Sequence, residues 1–272
     1  MRGLREFILR AVEEDAPFGD ITSRAICGDK RIKAVIISKG EGIFCGEEVL
    51  KAFAEEFKFE IKGKLDGEKI KFGEKVAEIV GECYYVLMCE RTILNLISRL
   101  SGIATLTRKF VEIAGDVPIY DTRKTTPFLR YLEKYAVRVG GGYNHRMTLS
   151  EIVMIKDNHK RVAGGIKNAV EMVRKKLKYA YIEVEVENIE ELKEALECGV
   201  DWVLLDNMDF ESLKKAMEMA RGKVKVEISG GISLENLKEI ASLKPDRISV
   251  GAITKSVKPL DMSLEVVEIL NL

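Results

Sequence analysis

YIEVEVENIEELKEALECGVDWVLLD, residues 181–206, places two short apolar runs around a segment with helical spacing. YIEVEV and WVLLD read as strands, while IEELKEALECG carries its apolar residues three and four apart, as an amphipathic helix does. Strand, helix and strand at this length form a parallel βα unit. The unit recurs: residues 190–206 and 235–251 align at a constant offset of 45, with Leu192 on Leu237, Asp201 on Asp246 and Asp206 on Gly251. Outward from it, VPIYD, IVMIK, VKVEI and RISV are further apolar runs, and the series ends at Asp121, Lys156, Glu185, Asp206, Ser229 and Gly251. A repeated helix-turn-strand of this kind suits an α/β barrel. A doubly wound sheet would show a glycine-rich turn after its first strand. The GGG of Gly140–Gly142 instead follows a helical segment, so it is no dinucleotide fingerprint.

The first hundred residues have a different grain. Leu4, Phe7, Ile8 and Val12 recur at helical spacing. EDAPFGDIT (14–22) reads as a loop, IKAVIIS (32–38) as a strand, and Gly46 to Phe57 as a helix with Val49, Leu50, Phe53 and Phe57 on one face. Short glycine-punctuated strands follow to about Val80. Residues 83–115 are helical and apolar almost all round, which predicts burial between layers or at a subunit interface. The chain has 272 residues, 46% of them hydrophobic, enough for one barrel and a smaller domain. Lys+Arg and Asp+Glu are both 44, so no global field holds the protein on nucleic acid or on an anionic membrane. No apolar run is long enough to span a bilayer, and the charged N-terminus is unlike a signal peptide. Five scattered cysteines without a CxxC pair predict reduced thiols and a cytoplasmic setting. The high charge content and the absence of glutamine lean toward a thermophile.

Three constellations carry chemistry. Residues 121–159 hold both histidines, His145 and His159, with Arg123, Lys124, Arg130, Lys134, Arg138, Arg146 and Lys156. Asp121 and Lys156 follow strands, so they are predicted to point out of the barrel's carboxyl rim. Cations converging on one mouth need an anion to offset their repulsion, and a dicarboxylate or pyrophosphate fits the guanidinium fork. Arg130, Lys134 and Arg138 alternatively form a solvated helix face, and His159 alternatively closes a turn. Second, Glu183, Glu185 and Glu187 alternate along one strand and face one side, the barrel interior or its mouth. Three such carboxylates need the cations above, or Mg²⁺ held with Asp206; a salt-bridged core network is the other reading. Third, SGGI (229–232) and SVGAIT (249–254) end consecutive strands. Small residues there let backbone N–H groups approach a phosphate, although ordinary tight turns have the same composition.

As a set these segments resemble quinolinate phosphoribosyltransferases nearly end to end. EDAPFGDIT is similar to that family's N-terminal signature, and ERTILNLISRLSGIATLT (90–107) to its long helix. DTRKTTP, EKYAV, GGGYNHR, IKDNH, EVEVEN, LLDN, SGGI and VGAIT follow in the family's order. The resemblance implies an N-terminal α/β sandwich, residues 1–103 completed by 256–272, and an open, incomplete α/β barrel, residues 104–255. It implies a homodimer with shared active sites, with room for further assembly of dimers. It implies that Arg91 enters the partner's site, that Arg123, Lys124, His145, Arg146 and Lys156 hold the two carboxylates of quinolinate, and that Thr122 and Val250 are also substrate-binding. Glu185 and Asp206 would hold Mg²⁺ and the ribose of phosphoribosyl pyrophosphate, and Ser229, Gly230, Gly231, Gly251 and Ala252 its 5′-phosphate. Lys124, Glu185 and Asp206 are the implied catalytic groups. Phe128 stands where the family usually has Gly, Thr148 replaces another Gly and Glu151 a usual Asp; all three flank substrate-facing loops.

The implied reaction joins quinolinate to the ribose and releases pyrophosphate and CO₂, giving nicotinate mononucleotide. Carboxylates near the ribose suit a cationic transition state, and Mg²⁺ with lysines suits a leaving pyrophosphate. The alternatives are a related phosphoribosyltransferase for another acid, a Schiff-base lyase using Lys124 or Lys156, and an inactive phosphate-binding regulator.

Overall fold

The computed structural model describes residues 3–270. The chain divides into two compact units, residues 1–106 with 257–272, and residues 107–256.

In the first unit, helix α1 (Leu4–Asp15) is followed by α2 (Ile21–Ile26), β1 (Arg31–Ser38), β2 (Gly42–Ile43), α3 (Glu47–Phe57), β3 (Glu60–Gly63), β4 (Lys69–Ile70), β5 (Lys75–Glu82) and the long α4 (Cys83–Ala114), within which the unit boundary falls. α1 buries Leu4, Ile8 and Val12, the face its spacing marks. The loop read over 14–22 ends in α2, which was not assigned. Asp20 supplies its start, for its Oδ1 accepts from Thr22 N at 2.9 Å and Ser23 N at 3.0 Å. β1 alternates intermediate and buried positions along its length, one face inward. Val49, Leu50 and Phe53 of α3 are buried, and Phe57 stacks on Phe53 and Phe59 at 5.9 and 5.8 Å.

The second unit contains β6 (Ile119–Tyr120), α5 (Arg130–Val139), β7 (Val153–Ile155), α6 (Asp157–Ala163), α7 (Ile166–Lys176), β8 (Ile182–Val186), α8 (Ile189–Glu197), β9 (Trp202–Asp206), α9 (Phe210–Ala220), β10 (Lys225–Ser229), α10 (Leu237–Ser242), β11 (Arg247–Ser249) and α11 (Ala252–Lys255). The chain then returns to the first unit as β12 (Met262–Leu270), which pairs antiparallel with β1 in a sheet ordered β12-β1-β5-β3.

The second unit's six strands form one parallel sheet ordered β6-β11-β10-β9-β8-β7. Its ends, β6 and β7, are not paired with each other, so the structure is an open, incomplete TIM-like barrel; a single bridge from Tyr143 extends the β6 edge. The 45-residue repeat has a mechanical basis. Asp201 accepts from Ile182 N, and its repeat partner Asp246 accepts from Val226 N, each at 2.8 Å. Each aspartate thus secures an amide at the start of the preceding strand, the first of β8 and the second of β10. β8 is buried throughout, with Ile182, Val184 and Val186 on one face and Glu183 and Glu185 on the other. Among the described residues no helix is long and apolar enough to cross a membrane, and all five cysteines are unpaired.

Candidate active site

Inward-facing positions of parallel strands stack in layers. The deeper layer contains Glu183 of β8, Trp202 of β9, Glu227 of β10 and Arg247 of β11. Arg247 donates through Nε to Glu227 and through NH2 to Glu183 at 2.7 Å. Its guanidinium lies 4.0 Å from the Trp202 ring centroid and 5.3 Å from that of Tyr120. His145 Nε2 lies 3.2 Å from Glu227 and 3.5 Å from Glu183. Burial pulls the His145 pKa down, but the two carboxylates outweigh it and push it up to about 9. Burial likewise raises Glu227, yet His145 and Arg247 hold it at about 2. His145, Glu183 and Glu227 could together hold a metal ion. Arg247 already bridges both carboxylates, so this cluster is an ion-pair network, the alternative reading of the strand glutamates.

A second buried pair shapes the wall. Asp121 was predicted to project from the rim, and Lys134 to bind anion or face solvent. Both are instead fully buried and bonded to each other. Lys134 Nζ also donates to the carbonyls of His145 at 2.8 Å and Arg146 at 3.2 Å, while Asp121 accepts from His145 N at 2.9 Å. Burial raises the Asp121 pKa and lowers that of Lys134. The apolar environment turns a would-be ligand pair into a clamp on the 144–146 segment. Arg130 links the two flanking loops, donating to Thr125 Oγ1 at 3.0 Å and to the Met147 carbonyl at 3.1 Å. Arg138 is exposed on α5. His159 closes a turn: its Nδ1 accepts from Lys156 N at 3.0 Å.

At the strand ends, Lys156 of β7's terminus is paired with Glu185, and Asp206 lies on the adjacent strand β9. Burial and then Glu185 push the Asp206 pKa up, so an added cation there is favoured. Gly230 and Gly231 have φ of 87° and 62°. A Cβ on Gly230 would lie 2.6 Å from the Asn207 backbone nitrogen, so the turn after β10 needs glycine. Gly251 passes close to Lys124, whose Cδ would lie 3.1 Å from an added Cβ.

A cavity of about 450 Å³ opens at this end of the strands. Thr122, Arg123, Lys124, His145, Arg146, Lys156, Glu185, Asp206 and Ser229 all line it, as do Glu187 and Glu227. Gly230, Gly231, Val250, Gly251 and Ala252 are not among its lining residues; they form the turns behind Ser229 and Lys124. Arg91 belongs to the other unit, where it lines a separate groove with Glu14, Asp15 and Asn95. Glu227 and Arg247 had not been singled out in the sequence. Glu227 stands two residues before Ser229 and therefore shares its inward face, a signal the spacing carries. Arg247 opens an otherwise apolar run, and nothing local marks it as interior.

The distribution of charge decides what the cavity accepts. Among the described residues Arg123 and Lys124 form no ion pair, and Arg123 Nε is buried without a hydrogen-bond partner. Arg146 donates to the Ile152 carbonyl at 2.9 Å; burial and then Arg123 lower its pKa. A larger groove in the first unit, about 530 Å³, has charges that neutralise one another, such as Arg5 with Glu56. The barrel cavity, by contrast, is lined by cations without ion-pair partners among the described residues, together with carboxylates at strand carboxyl ends.

That is the plan of a barrel enzyme acting on a polyanionic substrate. The family models for the quinolinate phosphoribosyl transferase N-terminal and C-terminal domains match residues 20–101 and 103–265. A probable nicotinate-nucleotide pyrophosphorylase [carboxylating] of Bacillus subtilis is 44% identical over 93% of this chain and 90% of its own length. Its counterpart in Methanothermobacter thermautotrophicus is 42% identical over 97% and 99%. The crystal structure of nicotinate-nucleotide pyrophosphorylase from Ehrlichia chaffeensis superposes with a TM-score of 0.93 at 37% identity, covering 96% of this chain and 97% of that one. The chain belongs to the quinolinate phosphoribosyltransferase family.

Proposed function

We infer that this chain transfers the phosphoribosyl group of phosphoribosyl pyrophosphate to quinolinate, forming nicotinate mononucleotide, pyrophosphate and CO₂. The observation that carries this reading is the trio Arg123, Lys124 and Arg146, which form no ion pair among the described residues and line the same cavity as Glu185 and Asp206. A pyridine dicarboxylate supplies the charge that the trio lacks, and guanidinium groups grip carboxylates in a fork. Held there, the pyridine nitrogen faces the carboxylate side of the cavity. Its lone pair forms the bond to ribose C1 as the bond to the pyrophosphate oxygen breaks, and pyrophosphate leaves with that electron pair. Glu185 and Asp206 stabilise the positive charge that develops on the ribose. The carbon–carbon bond to the 2-carboxylate then breaks, CO₂ departs, and the electron pair left beside the positive ring nitrogen takes a proton from water.

Glu185 and Asp206 fit Mg²⁺, which prefers one or two carboxylates with phosphate oxygens. The ion would offset charge on the leaving pyrophosphate. Ser229 and the Gly230–Gly231 turn, with Val250, Gly251 and Ala252, suit the 5′-phosphate. A homodimer sharing its sites through Arg91 completes the reading, in a cytoplasmic setting. Steady-state kinetics with quinolinate and with nicotinate test it. Quinolinate is expected to have the higher kcat/KM and to release one CO₂ per turnover. Turnover of nicotinate alone, without CO₂, would overturn the substrate assignment.

A further inference from the structure

Arg247 is not among the residues that line the cavity. It stands two residues before Ser249 on β11, about 7 Å deeper along the strand. Its head is fixed from several sides by Glu227, Glu183 and the Trp202 ring. The carboxylates it fixes are those that face His145 Nε2. On the opposite edge of the ring, Nδ1 accepts the backbone N–H of Arg146 at 2.7 Å. The Tyr120 ring meets the imidazole edge-on at 6.5 Å. Both nitrogens of His145 are therefore engaged within the protein, although its ring forms part of the cavity wall. An apolar layer fills a barrel interior at least as stably as buried ions do, so stability alone does not account for this cluster.

We propose that Arg247 is a positioning residue for the acid-binding wall, acting on His145 directly, with NH2 3.1 Å from Nε2, and through Glu183 and Glu227, and then through the unprotonated Nδ1 of that ring on Arg146. The network sets where the Arg146 guanidinium enters the cavity. The proposal deepens the reading of the site as a quinolinate site and rests on it for its kinetic consequence. The physical link among the four side chains is independent of any substrate. The charged groups facing the imidazole are Glu183, Glu227 and Arg247, while Asp121 binds its backbone amide.

Glu227→Gln keeps the side-chain shape and removes one charge, and Arg247→Met removes the bridge. Assayed above the ring's midpoint, where Nδ1 is free to accept in native protein and variants alike, both variants are expected to raise KM for quinolinate at least tenfold, with KM for phosphoribosyl pyrophosphate within twofold of the native value. If Arg247→Met does not fold, Glu227→Gln carries the test. The chain has two histidines, so ring signals in a His159→Gln background belong to His145. In the ligand-free protein the Arg146 amide proton is expected to titrate with that ring, because a proton on Nδ1 ejects the N–H it accepts. In Glu227→Gln the shared midpoint moves to lower pH. Equal changes in both KM values, a loss of melting temperature alone, or an Arg146 amide indifferent to the ring would overturn the proposal. If the native protein does not consume quinolinate, the substrate reading fails, and the amide titration still decides whether the link exists.

Discussion

At the scale of single residues, the site is governed by what burial does to charge. Asp121 and Lys134 are a clear case: away from water, neither is tolerable without the other. Lys134→Met is expected to cost about 3–5 kcal/mol in urea unfolding, because it strands a buried carboxylate, and Asp121→Asn with Lys134→Met should recover much of the loss. The His145 network sets a pH dependence. The folded pKa of about 9 lies above the ordinary 6.5, so this contribution is fully present below pH 6.5 and is lost as pH rises through about 9. The stability difference between native protein and His145→Phe should therefore shrink between pH 6 and pH 9.5, on the order of 3 kcal/mol at most. Glu227 acts in the opposite sense: held at about 2, its contribution is present above pH 4.5 and fades as pH falls through 2. These roles were only half legible in the sequence. The alternation of Glu183, Glu185 and Glu187 announced an inward carboxylate face, but which partner each one meets depends on strand register. Arg247 reaches Glu183 across two intervening strands, β10 and β9, and no local pattern carries that information.

Elements were more legible where periodicity was long. All six apolar runs of the barrel are strands, because each has a buried apolar face, as Ile182, Val184 and Val186 give β8, even where the other face is ionic. β12 and α2 were not assigned as elements. β12 is an edge strand, exposed from Glu265 to Ile269, so burial imposes no alternation on it. α2 is six residues long and depends on the Asp20 cap more than on a face. Phe128 shows a local rule yielding to context. It adopts φ 65°, a left-handed conformation at a position where family resemblance implies glycine, and its ring is 95% exposed. At the turn after β10 the backbone has less freedom. Gly230→Ala places a methyl group against the Asn207 backbone and requires φ 87° of an L-residue. It is expected to cost about 1–3 kcal/mol of stability. If the turn cradles the 5′-phosphate, KM for phosphoribosyl pyrophosphate rises while that for quinolinate stays near native. Equal changes in both would argue for a purely structural turn.

For the whole molecule, the open question is how Arg91 joins the chemistry. It lies on α4, in the unit that contains none of the cavity-lining residues. It is exposed and has the acidic Glu14 and Asp15 of α1 in its groove. An exposed arginine beside carboxylates contributes little to stability, so Arg91→Ala should leave the unfolding midpoint close to native. A shared site makes a sharper claim about activity. Arg91→Ala lacks only the group a chain lends, and Lys156→Ala lacks only a group a chain keeps. Each variant alone is expected to be inactive. Co-refolded at equal concentration, random pairing gives about half mixed dimers, and each mixed dimer contains one site with both residues intact. One quarter of all sites, and hence about one quarter of native activity, should return. Activity that stays at the level of the separate variants, in a mixture shown by mass spectrometry to contain mixed dimers, would place Arg91 outside the reaction or confine its action to its own chain.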